Sequence, residues 1–335
     1  MKYSINFKQG IDKTLLYSLE KLPTTIRTSI LEFCERNYYP IINEIRIKKN
    51  SYIHFIANSK NIASDIYASA EDLDNIVISL TDGSLYAHID TIRDGYIRVG
   101  KGVRAGISGT AIFDDNKITG IKDITSVNIR IPQKIYNASN YVYSLLEKAN
   151  FNCSVLIFSS PGVGKTSILR DLIYRLGSTA KRFSVIDSRD EIITPFLENI
   201  NYDAYISYPK GKAIEMSTKS MTPEIIICDE ISTEEEAQAI LKATHSGVRF
   251  IATTHARNYD ELREKVILSP LISSGVFDYF VGVSREYGEK TYKFEKFDYK
   301  QEALLWKLLV LYSFLFLRFY AHTHMKKSLN AKFHT

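Results

Sequence analysis

Residues 159–167 read SSPGVGKTS, between the apolar run Val155, Leu156, Ile157, Phe158 and an amphipathic stretch, ILRDLIYRL, over 168–176. An apolar strand that feeds a glycine-bearing turn and then a helix aims several backbone N–H groups, and the positive end of the helix dipole, at one anion. Ser160, Pro161, Gly162, Val163, Gly164, Lys165, Thr166 and Ser167 therefore form a candidate phosphate-binding loop. In such a loop the lysine, Lys165, reaches the β- and γ-phosphates of a nucleotide, and the Thr166 hydroxyl holds Mg²⁺. The strict pattern has glycine at both ends of its spacer, whereas here Ser159 takes the first position. The alternative is an ordinary strand-to-helix turn with a solvated lysine, and the residues around the loop weigh against it.

Downstream, short apolar runs at 155–158, 183–186, 225–228, 249–252 and 278–283 alternate with helical patterns. That alternation predicts a largely parallel sheet covered by helices, and continuous hydrophobicity fits strands buried on both faces. The run Ile225, Ile226, Ile227, Cys228 ends in Asp229 and Glu230. Asp229 is placed to hold the water shell of Mg²⁺, and Glu230, one residue further, to orient or deprotonate an attacking water. Asp187 and Glu191 close another strand, at the edge where doubly wound sheets bind ligands, as assistants to Glu230. Over 243–256, ATHSGVRFIATTHA sets His245 and His255 at either end of a strand. His255 would sense the γ-phosphate there; no Cys or second His stands at a metal spacing, so metal ligation is set aside.

The first half reads as a separate mixed domain over 1–150: a helix from about 15 to 36, strands at 43–48 and 52–57, and a helix begun by Ser69 with acids in its first turn. An antiparallel hairpin follows over 94–111, then a turn at 114–117, a strand at 128–131 and a connecting helix over 141–148. The nucleotide core occupies 151–299 and an atypical tail 300–335. In that tail ALLWKLLVLYSFLFL, 303–317, is apolar around its circumference except for Lys307, with Arg318, Lys326, Lys327 and Lys332 behind it. It is shorter than the roughly 20 residues that cross a bilayer. A helix touching a membrane surface and a helix packed on a partner or on the domain itself both fit.

Composition excludes several classes. With 45% apolar and 24% charged residues, the chain is neither disordered nor fibrous. A balance of 43 Lys+Arg against 38 Asp+Glu is mildly basic and spread out, so nucleic acid is not an expected partner. Cys34, Cys153 and Cys228 stand apart, as buried thiols in a reducing compartment do, and MKYSINFKQG at the N-terminus has no continuous apolar core of a secretory signal, so a cytoplasmic start is the expectation.

Taken in order, EIRIKKN, GYIRVGKGVRAGISGTA, DITSVNIRI, SSPGVGKTSILRDLI, SMTPEIIICDE and THSGVRFIATTHA make a chain that resembles the secretion-type ATPases of type II and type IV secretion and pilus retraction. The resemblance extends over about 20–290 and is greatest to the branch that acts in endospore formation. It implies an α/β fold with a P-loop (RecA-like) core and mainly parallel sheet, preceded by a smaller mixed α+β domain. It further implies Mg-ATP hydrolysis in a homohexameric ring whose N-terminal domains close over a neighbour's nucleotide. The partner would be a membrane-embedded sporulation channel, with the ring in the mother-cell cytoplasm, peripheral to the membrane. By position, Asp187 and Glu191 fall in the family's acidic box, and His245 and His255 in its histidine box. Arg104 and Arg130 are the candidate arginines supplied by the N-terminal domain, with Arg98 in reserve. Lys219 stands where the family usually carries arginine. Together with Ser159, this keeps open a scaffold that binds nucleotide without hydrolysis; a nucleic-acid motor is the remaining rival.

Overall fold

The computed structural model describes residues 11–38, 40–58, 60–115, 117–285 and 292–299. The expected segment 303–317 lies outside them. Six strands, β1 Ile42–Lys48, β2 Ser51–Ala57, β3 Lys60–Ala68, β4 Tyr96–Gly100, β5 Val103–Asp114 and β6 Lys117–Arg130, form an antiparallel sheet in the order β3-β2-β1-β6-β5-β4. Helices α1 Lys13–Glu20, α2 Thr24–Arg36, α3 Ala70–Leu80 and α4 Ile89–Arg93 bury one face of it. Leu19, Ile30, Phe33, Leu73 and Ile76 meet Ile45, Ile47, Phe55, Ile97 and Ile129 in one apolar cluster.

The helix expected over 15–36 is two helices. Pro23, at the N-cap of α2, has no N–H to continue α1 and pushes Leu22 out of helical geometry. Ser69 caps α3 as expected, through a capping box with Asp72. Strand β6 is longer than the expected 128–131, because its first half pairs only with β5 and is mostly exposed, which removes the apolar alternation. The edge strand β3 was not signalled, its KNIASDIYA burying little.

The second sheet contains β7 Val155–Ser159, β8 Phe183–Asp187, β9 Asp203–Ile206, β10 Ile225–Glu230, β11 Arg249–His255, β12 Tyr279–Ser284 and β13 Lys293–Asp298. Its order is β13-β12-β7-β11-β10-β8-β9, parallel except for β13. The five expected strands are present; β9 and β13, short and polar or charged at the two edges, were not anticipated. Successive strand residues point to opposite faces, and both faces are covered. Ile157, Val185, Ile227 and Ile251 pack under α5 Asn140–Lys148 and α6 Lys165–Leu176. Leu156, Ile186, Ile226 and Phe250 pack under α7 Lys210–Ser220 and α8 Glu234–His245. All three cysteines are free and buried, and burial pushes the Cys34 thiol up to about 11 and those of Cys153 and Cys228 to about 12.

The first apolar cluster ends at Ile131 and the second begins at Ala138, so α5 packs with the second sheet. The connecting residues are fastened at both ends. The Gln133 side chain donates to the carbonyls of Ile42 and Ile131, on the first sheet's side. The Lys134 ammonium lies 3.9 Å from the ring centre of Tyr174 on α6 and 5.3 Å from that of Phe196. Buried Asp171, also on α6, accepts from the N–H of Asn137 at 3.1 Å and from the N–H and hydroxyl of Ser139 at 2.8 and 2.6 Å. A second contact joins the β4–β5 turn to the loop after β8. Gly102 (φ 78°) turns there so tightly that a Cβ would lie 3.0 Å from Thr194 Cγ2.

Candidate active site

The phosphate loop runs from the end of β7 into α6, as read from the sequence. Gly162 (φ 77°) and Gly164 (φ 122°) both occupy backbone conformations that L side chains rarely adopt, and a Cβ on Gly164 would strike the Tyr292 hydroxyl. Because β11 lies between β7 and β10, its last residue, His255, separates the loop from the acidic end of β10. Lys165, the first residue of α6, is 8% exposed. Its ammonium donates to the Ser159 carbonyl at 3.1 Å, the Ser159 hydroxyl at 3.2 Å and His255 Nδ1 at 2.8 Å. The other ring nitrogen of His255 is 3.0 Å from Glu230 Oε2. Burial holds the Lys165 ammonium down at about 8, opposed by the charge of Glu230 and reinforced by that of Lys265.

Asp229 is held on both oxygens. Oδ1 meets the Lys210 ammonium at 2.7 Å and Oδ2 accepts from the Ser188 hydroxyl at 2.8 Å. Glu230 is further touched by Arg189, 3.4 Å from Oε2. The Lys210 ammonium is raised overall: burial pulls it down, and the charge and hydrogen bond of Asp229, with the charge of Glu236, outweigh that.

The two acids of the 187–191 loop play different parts. Asp187 is wholly buried and accepts from the backbone N–H groups of Glu191 at 2.8 Å, Ile192 at 2.8 Å and Ile193 at 2.9 Å. It shapes the loop and offers no oxygen to solvent. Burial pushes its carboxyl up to about 6, against those three donors. Glu191 faces outward to Arg104, 2.6 Å from its Oε1.

The three arginines occupy facing positions on neighbouring strands of the first sheet, with Arg98 opposite Arg104 and Arg104 opposite Arg130. Within one chain, however, they are divided. Arg104 binds Glu191 and the Arg189 carbonyl at 2.9 Å, and Arg98 reaches the Ser207 hydroxyl at 3.3 Å. Arg130 stays on its own sheet beside Glu44 at 3.7 Å, with its side chain 73% exposed. His245 is not brought to the site: it is exposed in the last turn of α8, which leads to the opposite end of β11 from His255. Lys219 is likewise remote, in an exposed pair with Glu215 on α7. Sequence reading missed Ser188, Arg189 and Lys210, which carry no signal beyond being common residue types; only the fold brings them to the acids.

These residues fit a Mg²⁺-nucleotide. One hydroxyl, Thr166, and one carboxylate with both oxygens held would leave a bound metal most of its waters, which suits Mg²⁺. Among the described residues no group of three or more His, Cys, Asp or Glu side chains is arranged to hold a metal ion.

The sequence model of the family described as "Sporulation stage III, protein AA" matches residues 18–295. The chain is 31% identical over 285 residues to stage III sporulation protein AA of Bacillus subtilis (strain 168), spanning 81% of this chain and 92% of that protein. In three dimensions it is similar to the ATPase DotB of Legionella pneumophila, with a TM-score of 0.59 at 15% identity, over 84% of this chain and 83% of that one. It is also similar to the pilus retraction motor PilT solved with bound ADP, with a TM-score of 0.57 at 12% identity, over 86% and 89%. Those likenesses establish an α/β fold of the secretion-ATPase kind. No helix among the described residues is long and apolar enough to cross a membrane.

Proposed function

The chain belongs to the sporulation stage III protein AA family, and from that premise we propose that it is a ring-forming ATPase. It hydrolyses Mg-ATP to drive or assemble a secretion-like transmembrane channel during endospore formation. The observation that carries this reading is the line from Lys165 through His255 to Glu230 at the mouth of the phosphate loop. A phosphate-binding cation and a carboxylate placed for the attacking water are thereby joined through one imidazole. The structurally similar PilT, solved with bound ADP, supports a nucleotide as the ligand of this fold.

In this reading the loop's N–H groups and Lys165 take the phosphates, and Glu230 orients the water and accepts its proton. Thr166 and, through water, Asp229 would hold Mg²⁺, which would supply neutralisation of the phosphate charge. Arg104, already committed to Glu191, steadies the N-terminal domain over its own core. Arg130, exposed, is the residue free to reach a neighbour's nucleotide in a homohexamer. His255 responds to the γ-phosphate by losing its bond to Lys165. The ring would work from the mother-cell cytoplasm against a membrane-embedded channel, with the tail touching the membrane surface.

Steady-state ATP hydrolysis at several protein concentrations, with Lys165→Ala and Glu230→Gln alongside, tests the proposal. Turnover that rises with concentration and is lost in both variants is the expected result. Nucleotide binding without turnover would instead favour a scaffold. Single-stranded DNA that stimulates turnover in a salt-sensitive way would favour a nucleic-acid motor.

A further inference from the structure

Lys210 has almost no solvent to face. Its side chain is 3% exposed, and its ammonium meets three oxygens: Asp229 Oδ1 at 2.7 Å, Glu236 Oε1 at 3.2 Å and the main-chain carbonyl of Glu230. Two carboxylates and a carbonyl are the ligands that hard divalent cations take. The set is also rigid. Ser188 holds the far oxygen of Asp229, and the far oxygen of Glu236 accepts from the N–H groups of Ser232 at 2.7 Å and Thr233 at 3.2 Å, in the capping box that opens α8. Lys210 itself opens α7, whose packing against α8 fixes where the ammonium sits. A lysine four carbons long, buried among fixed oxygens, is not a solvated surface charge.

We propose that the Lys210 ammonium is a built-in cation at the acidic end of β10, a positioning residue standing where a divalent ion would otherwise settle between Asp229 and Glu236. One consequence concerns the nucleotide-free chain alone: with the place taken, Asp229 has no direct metal to bind. A second rests on the ATPase reading above. An ammonium on Oδ1 and a hydroxyl on Oδ2 leave Asp229 to meet the nucleotide's metal only through water. That geometry favours Mg²⁺, which gives up its hydration reluctantly, over ions that dehydrate easily.

The test is Mn²⁺ binding to the full chain without nucleotide, read by electron paramagnetic resonance, for wild type, Lys210→Met, Lys210→Arg and the double variant Lys210→Met/Asp229→Asn. Lys210→Met should gain one site per chain, at least about tenfold tighter than anything wild type or Lys210→Arg offers there, and the double variant should lose it. The proposal is overturned if Lys210→Met takes up Mn²⁺ no better than wild type, or if wild type already binds an ion that Asp229→Asn removes. Should Lys210→Met not fold, Lys210→Gln keeps a hydrogen-bond donor without the charge and makes the same comparison. A second readout is the affinity for a fluorescent ATP analogue in Mg²⁺ against Mn²⁺. A positioning role shifts the ratio toward Mn²⁺ in Lys210→Met and restores it in Lys210→Arg, whereas equal loss with both metals means a purely structural lysine. If wild type binds no ATP with either metal, the ATPase reading falls, and the nucleotide-free titration still decides the role of Lys210.

Discussion

The Lys165 ammonium donates to His255 Nδ1 across 2.8 Å. That bond fixes the ring: with Nδ1 accepting, the imidazole proton sits on Nε2 and points to Glu230 Oε2, 3.0 Å away. The lysine proposed to grip phosphate is thus engaged by the residue that contacts the candidate base. A nucleotide would have to exchange three protein partners of Lys165 for phosphate oxygens.

The first prediction follows from the ammonium's burial. Lys165 in the folded chain titrates at about 8, below its ordinary 10.5. Only its charged form grips phosphate, so nucleotide affinity should be flat below pH 7 and weaken as pH rises through 8, by up to about tenfold per unit. The unliganded fold responds in the opposite sense. The unfolded chain binds the extra proton between 8 and 10.5, so this group adds stability as pH rises there. Fluorescent-nucleotide titrations between pH 6.5 and 9 check the first, and Lys165→Arg should flatten the curve.

Glu230→Gln should keep nucleotide affinity within about threefold and cut hydrolysis by about 10² to 10⁴. Glutamine still accepts from His255 and Arg189, so the site stays assembled while the proton acceptor is gone. Equal loss of binding and turnover would contradict the role assigned to this carboxylate.

Arg130 and Arg104 should fail differently. Arg130→Ala should lower turnover by about 10³ and remove its dependence on protein concentration, with nucleotide binding to the dilute chain intact. Arg104→Ala should loosen the contact with Glu191 in the monomer, seen as faster proteolysis of the 187–198 loop at any concentration. Concentration-dependent turnover that persists in Arg130→Ala would remove that arginine from the neighbour's site.

Asp187→Asn should destabilise the fold by about 1–3 kcal/mol, because an amide cannot accept three N–H bonds as a carboxylate does. The folded carboxyl titrates at about 6 against an ordinary 3.8. The folded chain therefore binds more protons between those values, and this group's contribution is full below about 4 and lost as pH rises through 6. The advantage of wild type over Asp187→Asn in urea unfolding should narrow from pH 5 to pH 7.

Much of the core was legible because its signals are local. The loop at 159–167, the strand ending in Asp229 and Glu230 and the capping box at Ser69 each announce themselves within a dozen residues. Edge strands did not: β3, β9 and β13 bury too little for hydrophobic alternation to survive. Nor did the tertiary partners of the acids. Nothing distinguishes Lys210 from the other basic residues until α7 is laid beside α8, and His245 matches His255 in sequence while one ends α8 and the other lies at the far end of β11. Asp187 appeared as a chemical group because an acid at a strand end attracts that reading; its three backbone donors belong to residues that only the folded loop turns back toward it.

The fastening of residues 132–139 locates the molecule's joint. Gln133 is tied to carbonyls of the first sheet and Lys134 is seated on rings of the second unit, so the two anchors fall on consecutive residues. A swing of one sheet against the other that keeps both anchors would have to bend at residues 133–134 and release the contacts of Arg104 with Glu191 and of Arg98 with Ser207. A glycine inserted between Gln133 and Lys134 would leave every residue of the site in place and still uncouple the lever from the helix that carries the phosphate loop.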